Sequence, residues 1–181
     1  MKKLIETKKS SKKIFDGGLI KVKIDTVKLP NGKASTREVV EHPGAVAVIA
    51  LTNDNELVLV RQFRYPTNEI LLEVPAGVPH KGEPLEKAAR RELEEETGYY
   101  AKKVKKVLSG YATPGYSNEV INFFIAEDLT LLKPNTDEDE FVEVDVIDLE
   151  ALLDLAYAGK INDNKTIIGI MLADAYLKGK V

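Results

Sequence analysis

Residues 84–97 are the stretch of this chain that leaves the fewest conformations open. No β-branched residue occurs before Thr97, good helix formers fill the run, Pro84 opens it and Gly98 follows directly. The stretch predicts a helix. With successive residues about 100° apart, Leu85, Ala88 and Ala89 share one face, Glu92 and Glu96 fall within that face, and Glu95 lies at its edge. Lys87 and Glu94 take the opposite face, and Arg90 and Arg91 the flanks. Carboxylates thus continue a stripe that begins as an apolar one.

Carboxylates at spacings of three and four residues repel one another unless they are neutralised, and a hard divalent cation such as Mg²⁺ does so through oxygen ligands. Glu92, Glu95 and Glu96 are therefore candidate metal ligands. On helical spacing alone, a surface helix whose glutamates pair with lysines and arginines is an equal reading.

Composition narrows the partners. The chain has 181 residues, 44% hydrophobic and 30% charged, which suits one soluble globular domain over residues 1–181. A net charge of −3 gives no electrostatic reason to expect a nucleic-acid polymer or an anionic membrane as partner. A small anionic substrate would need a metal. The absence of cysteine removes disulfides, thiolate metal sites and cysteine nucleophiles, and only His42 and His80 remain as imidazoles. The basic start is followed by no apolar run of signal-peptide length, and no later stretch approaches membrane-spanning length, so a cytoplasmic protein is expected.

Elsewhere the pattern is largely extended. Residues 19–27 alternate apolar and polar side chains, Pro30-Asn31-Gly32 turns the chain, and a second strand is expected near Val39 and Val40. The lysine-rich start before this hairpin reads as frayed. Residues 44–51 and 57–63 are dense in Val, Ala, Ile and Leu around Asn53-Asp54-Asn55, as in a buried hairpin of a central sheet. Further strands are expected over residues 104–110, 119–126 and 141–147, and helices over residues 149–158 and 166–177. The order is mixed α/β, with no internal repeat or hinge-like linker.

Residues 77–99 read GVPHKGEPLEKAARRELEEETGY. This segment resembles the Nudix box, G-x5-E-x7-R-E-U-x-E-E-x-G-U with U a bulky apolar residue. The fixed positions fall on Gly77, Glu83, Arg91, Glu92, Glu95, Glu96 and Gly98. Tyr99 departs from the usual aliphatic last position, which bears on packing and not on chemistry. The resemblance implies the Nudix fold, an α-β-α sandwich on a mixed sheet, preceded here by an N-terminal β-hairpin or small sheet in residues 1–42. It implies that Glu92, Glu95 and Glu96 bind Mg²⁺, or Mn²⁺ in its place, with more than one ion per site. It gives Arg91 the role of orienting the box carboxylates, Gly77 and Gly98 that of turn residues, and Glu83 a structural role.

Outside the box, VRQFRYP at residues 60–66, LLEVPAG at 71–77 and Pro114, sixteen positions beyond Gly98, resemble the ADP-ribose pyrophosphatase subfamily. That likeness implies a small nucleotide substrate, ADP-ribose, hydrolysed by a metal-activated water to AMP and ribose 5-phosphate. It implies substrate contacts from Arg64, from Glu73 and from the loop of residues 113–119, which includes Pro114, Gly115 and Glu119, with Arg37 a second arginine candidate. The carbonyl of Ala76, before the first box glycine, would join the metal ligands. A general base would come from the acidic run of residues 137–140, either Glu138 or Glu140, with Glu140 favoured. A homodimer built through residues 1–42 is implied too. Two other readings stay open: a Nudix hydrolase of another nucleoside diphosphate derivative, such as a nucleotide sugar or a dinucleoside polyphosphate, and a sensor that binds ADP-ribose without cleaving it.

Overall fold

A computed structural model of the protein describes residues 4–132 and 141–181. The acidic run that holds Glu138 and Glu140 lies outside the described residues. The chain divides into two compact units, residues 1–44 with 110–120 and residues 45–109 with 121–181.

The first unit is built on a three-stranded antiparallel sheet in the order β1 (Thr7–Asp16), β2 (Lys21–Lys28), β3 (Ala34–Glu41). The expected hairpin is β2 and β3, in register from Lys21 opposite Glu41 to Lys28 opposite Ala34. The lysine-rich start is not frayed: it forms β1, paired with β2 from Thr7 opposite Lys28 to Asp16 opposite Lys21. All ten β1 residues are exposed. Backbone pairing, not burial, therefore holds this strand, and a strand with no inward side leaves no alternation to read. Residues 110–120 join the unit through Val40, whose N–H donates to the Tyr116 carbonyl at 2.8 Å.

The second unit centres on a mixed sheet in the order β10 (Val142–Asp148), β5 (Glu56–Arg64), β4 (Ala45–Leu51), β9 (Val120–Leu131), β8 (Tyr99–Tyr111). The short strands β6 (Glu69–Glu73) and β7 (Ala76–Gly77) pair with β5 and β4 respectively. The β4–β5 hairpin turns through Asn55, which takes a positive φ of 60°, a conformation asparagine tolerates better than most side chains.

Period-two alternation along β4 and β5 divides the core into two layers. Ala47, Ile49, Leu51, Leu57 and Leu59 pack on one face with Leu152 of α2 (Leu149–Tyr157) and with Ile170 and Ala173 of α3 (Asn164–Leu177). Val46, Val48, Ala50 and Val58 pack on the other with Ala88, Ala89 and Leu93 of α1 (Leu85–Thr97). Helices thus cover both faces, the α-β-α arrangement expected of the sequence. Helix α3 begins at Asn164, two residues earlier than its apolar pattern suggests, because Asp163 accepts the Thr166 N–H at 2.9 Å and caps it. Among the described residues no helix is long and apolar enough to cross a membrane.

Candidate active site

Helix α1 ends at Gly98, whose φ of 74° is left-handed and whose N–H donates to the Glu94 carbonyl at 2.9 Å. That conformation favours glycine. Within the helix Ala88, Ala89, Glu92, Leu93 and Glu96 are buried, so the inward stripe does pass from apolar side chains into carboxylates. Two local contacts set the preceding loop: the Glu83 carboxylate accepts the His80 N–H at 2.9 Å, and the His80 carbonyl accepts the Glu83 N–H at 2.9 Å.

Arg91 gathers the box. Its Nε and Nη2 donate to the two Glu83 oxygens at 3.2 and 3.0 Å. Its Nη1 donates to Glu95 at 2.7 Å, and Nη2 also lies 2.9 Å from Glu92 Oε1 and 3.3 Å from the Val78 carbonyl. A planar fork of donors suits such shared recognition, which the point charge of a lysine could not reproduce. The Arg91 hydrogen bonds, followed by that from the His80 backbone, bring the Glu83 carboxyl from its ordinary 4.5 down to about 2. Hydrogen bonding to Glu83 first, against the opposing effect of burial, raises the pKa of Arg91.

Glu96 accepts the Ala76 N–H at 3.2 Å. Gly77 passes so close to Glu92 that a Cβ at this position would fall 2.2 Å from the carboxyl group. Ala76, Gly77, Glu83, Arg91, Glu92, Glu95 and Glu96 are therefore one cluster. Four of its members are carboxylates and one is a guanidinium, so negative charge is in excess in a half-buried place. Hard oxygen donors with excess negative charge fit a divalent cation such as Mg²⁺. Among the described residues no three acidic or imidazole side chains are arranged to hold a metal ion as they stand. Arg91 meets Glu92 through Oε1 and Glu95 through Oε2, one oxygen of each carboxylate, and an ionised carboxylate has lone pairs on both oxygens.

A second charged cluster adjoins the first. Arg64, at the end of β5, donates from Nε and Nη2 to the two oxygens of Glu73, at the end of β6, each at 2.7 Å. Glu73 is 1% exposed, and its Oε2 also accepts from Lys165 Nζ. Burial pushes the Glu73 carboxyl up, but the Arg64 and Lys165 interactions together outweigh it and the net shift is downward. Hydrogen bonding to Glu73 first raises the pKa of Arg64, to which the charges of Glu96 and Asp163 also contribute. Lys165 escaped the sequence reading because it lies 92 positions from Glu73, and a lone lysine opening an apolar helix carries no local signal.

The remaining candidates belong to the first unit. Arg37 on β3 donates to the Thr36 carbonyl at 2.8 Å and to Ser35 Oγ at 3.1 Å, and pairs with Glu6. Pro114 and Gly115 form a turn in which Thr113 O accepts the N–H groups of Tyr116 at 3.2 Å and Ser117 at 2.9 Å. Glu119 Oε1 lies 3.7 Å from His42 Nδ1.

The NUDIX domain profile matches residues 41–167. The chain is 47% identical over 172 residues to an ADP-ribose pyrophosphatase of Bacillus subtilis (strain 168), covering 94% of this chain and 93% of the relative. It is 43% identical over 174 residues to a methanol dehydrogenase activator of Bacillus methanolicus, with 94% of each covered. A GDP-mannose pyrophosphatase of Salmonella arizonae is 40% identical over 151 residues, covering 76% of this chain and 78% of the relative. Among solved structures, one described as an ADP compounds hydrolase superposes with a TM-score of 0.85 over 97% of both chains at 24% identity, a likeness of fold.

Proposed function

This chain belongs to the Nudix family of pyrophosphohydrolases, and we propose that it hydrolyses ADP-ribose at the diphosphate to give AMP and ribose 5-phosphate. The observation that carries the chemistry is the excess of carboxylates on the inward stripe of α1, set against Gly77 and Ala76. The choice of ADP-ribose rests on near full-length similarity to a pyrophosphatase of that compound.

In this reading Glu92, Glu95 and Glu96, with the carbonyl of Ala76, hold one or more Mg²⁺ or Mn²⁺ ions. When bound, such an ion supplies charge neutralisation for the diphosphate oxygens and makes water more acidic. The protein's own residues do the rest. Arg91 and Glu83 hold the box loop against the helix. Arg64, oriented by Glu73, offers a guanidinium to the diphosphate or the terminal ribose, a geometry suited to paired oxygens. Water forms a new P–O bond as the bridging P–O bond breaks, and a carboxylate, Glu140 or else Glu138, accepts its proton. The resemblance to the subfamily adds Arg37, Pro114, Gly115 and Glu119, all of the first unit, as candidate substrate contacts. A homodimer joined through residues 1–42 belongs to the same reading, which the exposed edge strand β1 supports, since an unpaired strand edge is a template for association.

A second reading, a nucleotide-sugar pyrophosphatase, is favoured by the similarity to GDP-mannose pyrophosphatases. The test is a panel of ADP-ribose, GDP-mannose, a dinucleoside polyphosphate and a nucleoside triphosphate with Mg²⁺, products being separated by chromatography beside Glu96→Gln. AMP and ribose 5-phosphate formed chiefly from ADP-ribose, and lost in the variant, are the expected products. Faster cleavage of GDP-mannose would transfer the assignment to the second reading, and tight ADP-ribose binding without turnover would make the protein a sensor.

A further inference from the structure

Residues 73–77 connect the two charged clusters of the second unit. At one end of this segment the Ala76 N–H donates to Glu96 at 3.2 Å and Gly77 lies against Glu92. At the other end Glu73 is gripped by Arg64, and the Val74 N–H donates to Thr166 Oγ1 at 2.8 Å. The start of α3 therefore helps to place a segment whose far end is part of the box.

Lys165 stands at the centre of this junction. Its Nζ meets Glu73 Oε2, the same oxygen that Arg64 Nη2 engages, and lies 3.0 Å from Asp163 Oδ2. Its side chain is only 13% exposed. A lysine in the first turn of a helix faces the positive end of the helix dipole, an unfavourable position. Helix formation gives no reason for Lys165 to be there; the buried carboxylate of Glu73 does.

A buried carboxylate paired with one guanidinium forms a closed neutral pair, in which the cation's charge is spent inside the protein. A second cation on the same oxygen divides the carboxylate's charge between two partners. The Arg64 side chain remains 40% exposed, with Nη1 outside its two-point grip on Glu73. With Lys165 in place, part of the Arg64 charge stays available to an anion arriving from solvent.

Resting on the reading of this site as one that binds a nucleoside diphosphate through Arg64, we propose that Lys165 is a positioning residue: by sharing Glu73 it leaves Arg64 charged towards the substrate diphosphate. Lys165 acts through Glu73 and Arg64 and does not itself touch the substrate. Its effect falls on substrate affinity, not on the chemical step.

The test compares Lys165→Met, Lys165→Arg, Glu73→Gln and the double variant Glu73→Gln/Lys165→Met in the full-length protein. Kinetics use whichever of ADP-ribose and GDP-mannose the wild type cleaves better, so a revised substrate leaves the comparison standing. Affinity for ADP-ribose is also measured by calorimetry without divalent metal, so the result does not depend on turnover. Lys165→Met is expected to raise KM and Kd about tenfold, the scale of one charge-assisted hydrogen bond, with kcat changed less than about twofold. Lys165→Arg should restore both constants. In the Glu73→Gln background the substitution should change KM little, because position 73 then carries no charge for Lys165 and Arg64 to share. Lys165→Gln, which keeps a donor and removes only the charge, replaces Lys165→Met if that variant does not fold. Unchanged KM and Kd, a loss confined to kcat, or an undiminished effect of Lys165→Met in the Glu73→Gln background would each overturn the proposal.

Discussion

The Glu92 carboxyl group rests against the backbone of Gly77, in space that any side chain at position 77 would take: a Cβ there would lie 2.2 Å from Glu92 Oε2. The glycine is needed for close approach, since position 77 is not among those with a positive φ. Gly77→Ala would displace the end of a flexible side chain, which costs little stability but moves a proposed metal ligand. Melting within a few degrees of the wild type, alongside a loss of kcat of about 10- to 100-fold, is the expected result. Parallel measurement of melting temperature and turnover checks it, and full activity would remove the significance given to the contact.

Glu83 provides a pH test. Its carboxyl lies at about 2 in the folded protein, against an ordinary 4.5, chiefly because Arg91 donates to it. Folding therefore favours the ionised form. The stabilisation is fully present above the ordinary value and is lost as pH falls from there towards about 2. Glu83→Gln should be less stable than the wild type at neutral pH, and the gap should close across that acid window. Chemical denaturation at several pH values gives the comparison, and a gap that does not vary with pH would contradict it.

Thr166 is fully buried and serves both sides of the β6–α3 junction, accepting from Val74 N–H at 2.8 Å and donating to Asp163 at 2.5 Å. Thr166→Val keeps the shape but leaves a buried N–H without its acceptor, which costs about 1–3 kcal/mol. Urea unfolding should show this as a lower midpoint with an unchanged slope.

Metal binding should appear in stability as well as activity. Mg²⁺ is expected to raise the melting temperature of the wild type by mass action, and chelation to abolish turnover. Glu96→Gln should lose the Mg²⁺ response, yet without metal be at least as stable as the wild type, because one of several crowded carboxylates has gone. A calorimetric scan of both proteins with and without Mg²⁺ decides this, and an equal Mg²⁺ response in the two would exclude Glu96 as a ligand.

The extent of α1, the side on which Glu92 and Glu96 lie, and the buried hairpin of β4 and β5 were all determined by the sequence alone. In each case the informative residues are neighbours in the chain: helix and strand periods act over a few positions, and Pro84 and Gly98 mark the helix ends by their own backbone preferences. Tertiary structure decided three other matters. β1 exists through backbone pairing to β2, with every side chain exposed, so it has no pattern to reveal it. Arg91 gathers Glu83 as well as Glu92 and Glu95, because the box loop folds back onto the helix. Glu73, read from its sequence context as a substrate contact, is buried between Arg64 and Lys165. Lys165 comes from 92 residues away, and a charge that is neutralised only once distant segments have packed leaves no trace in the local sequence.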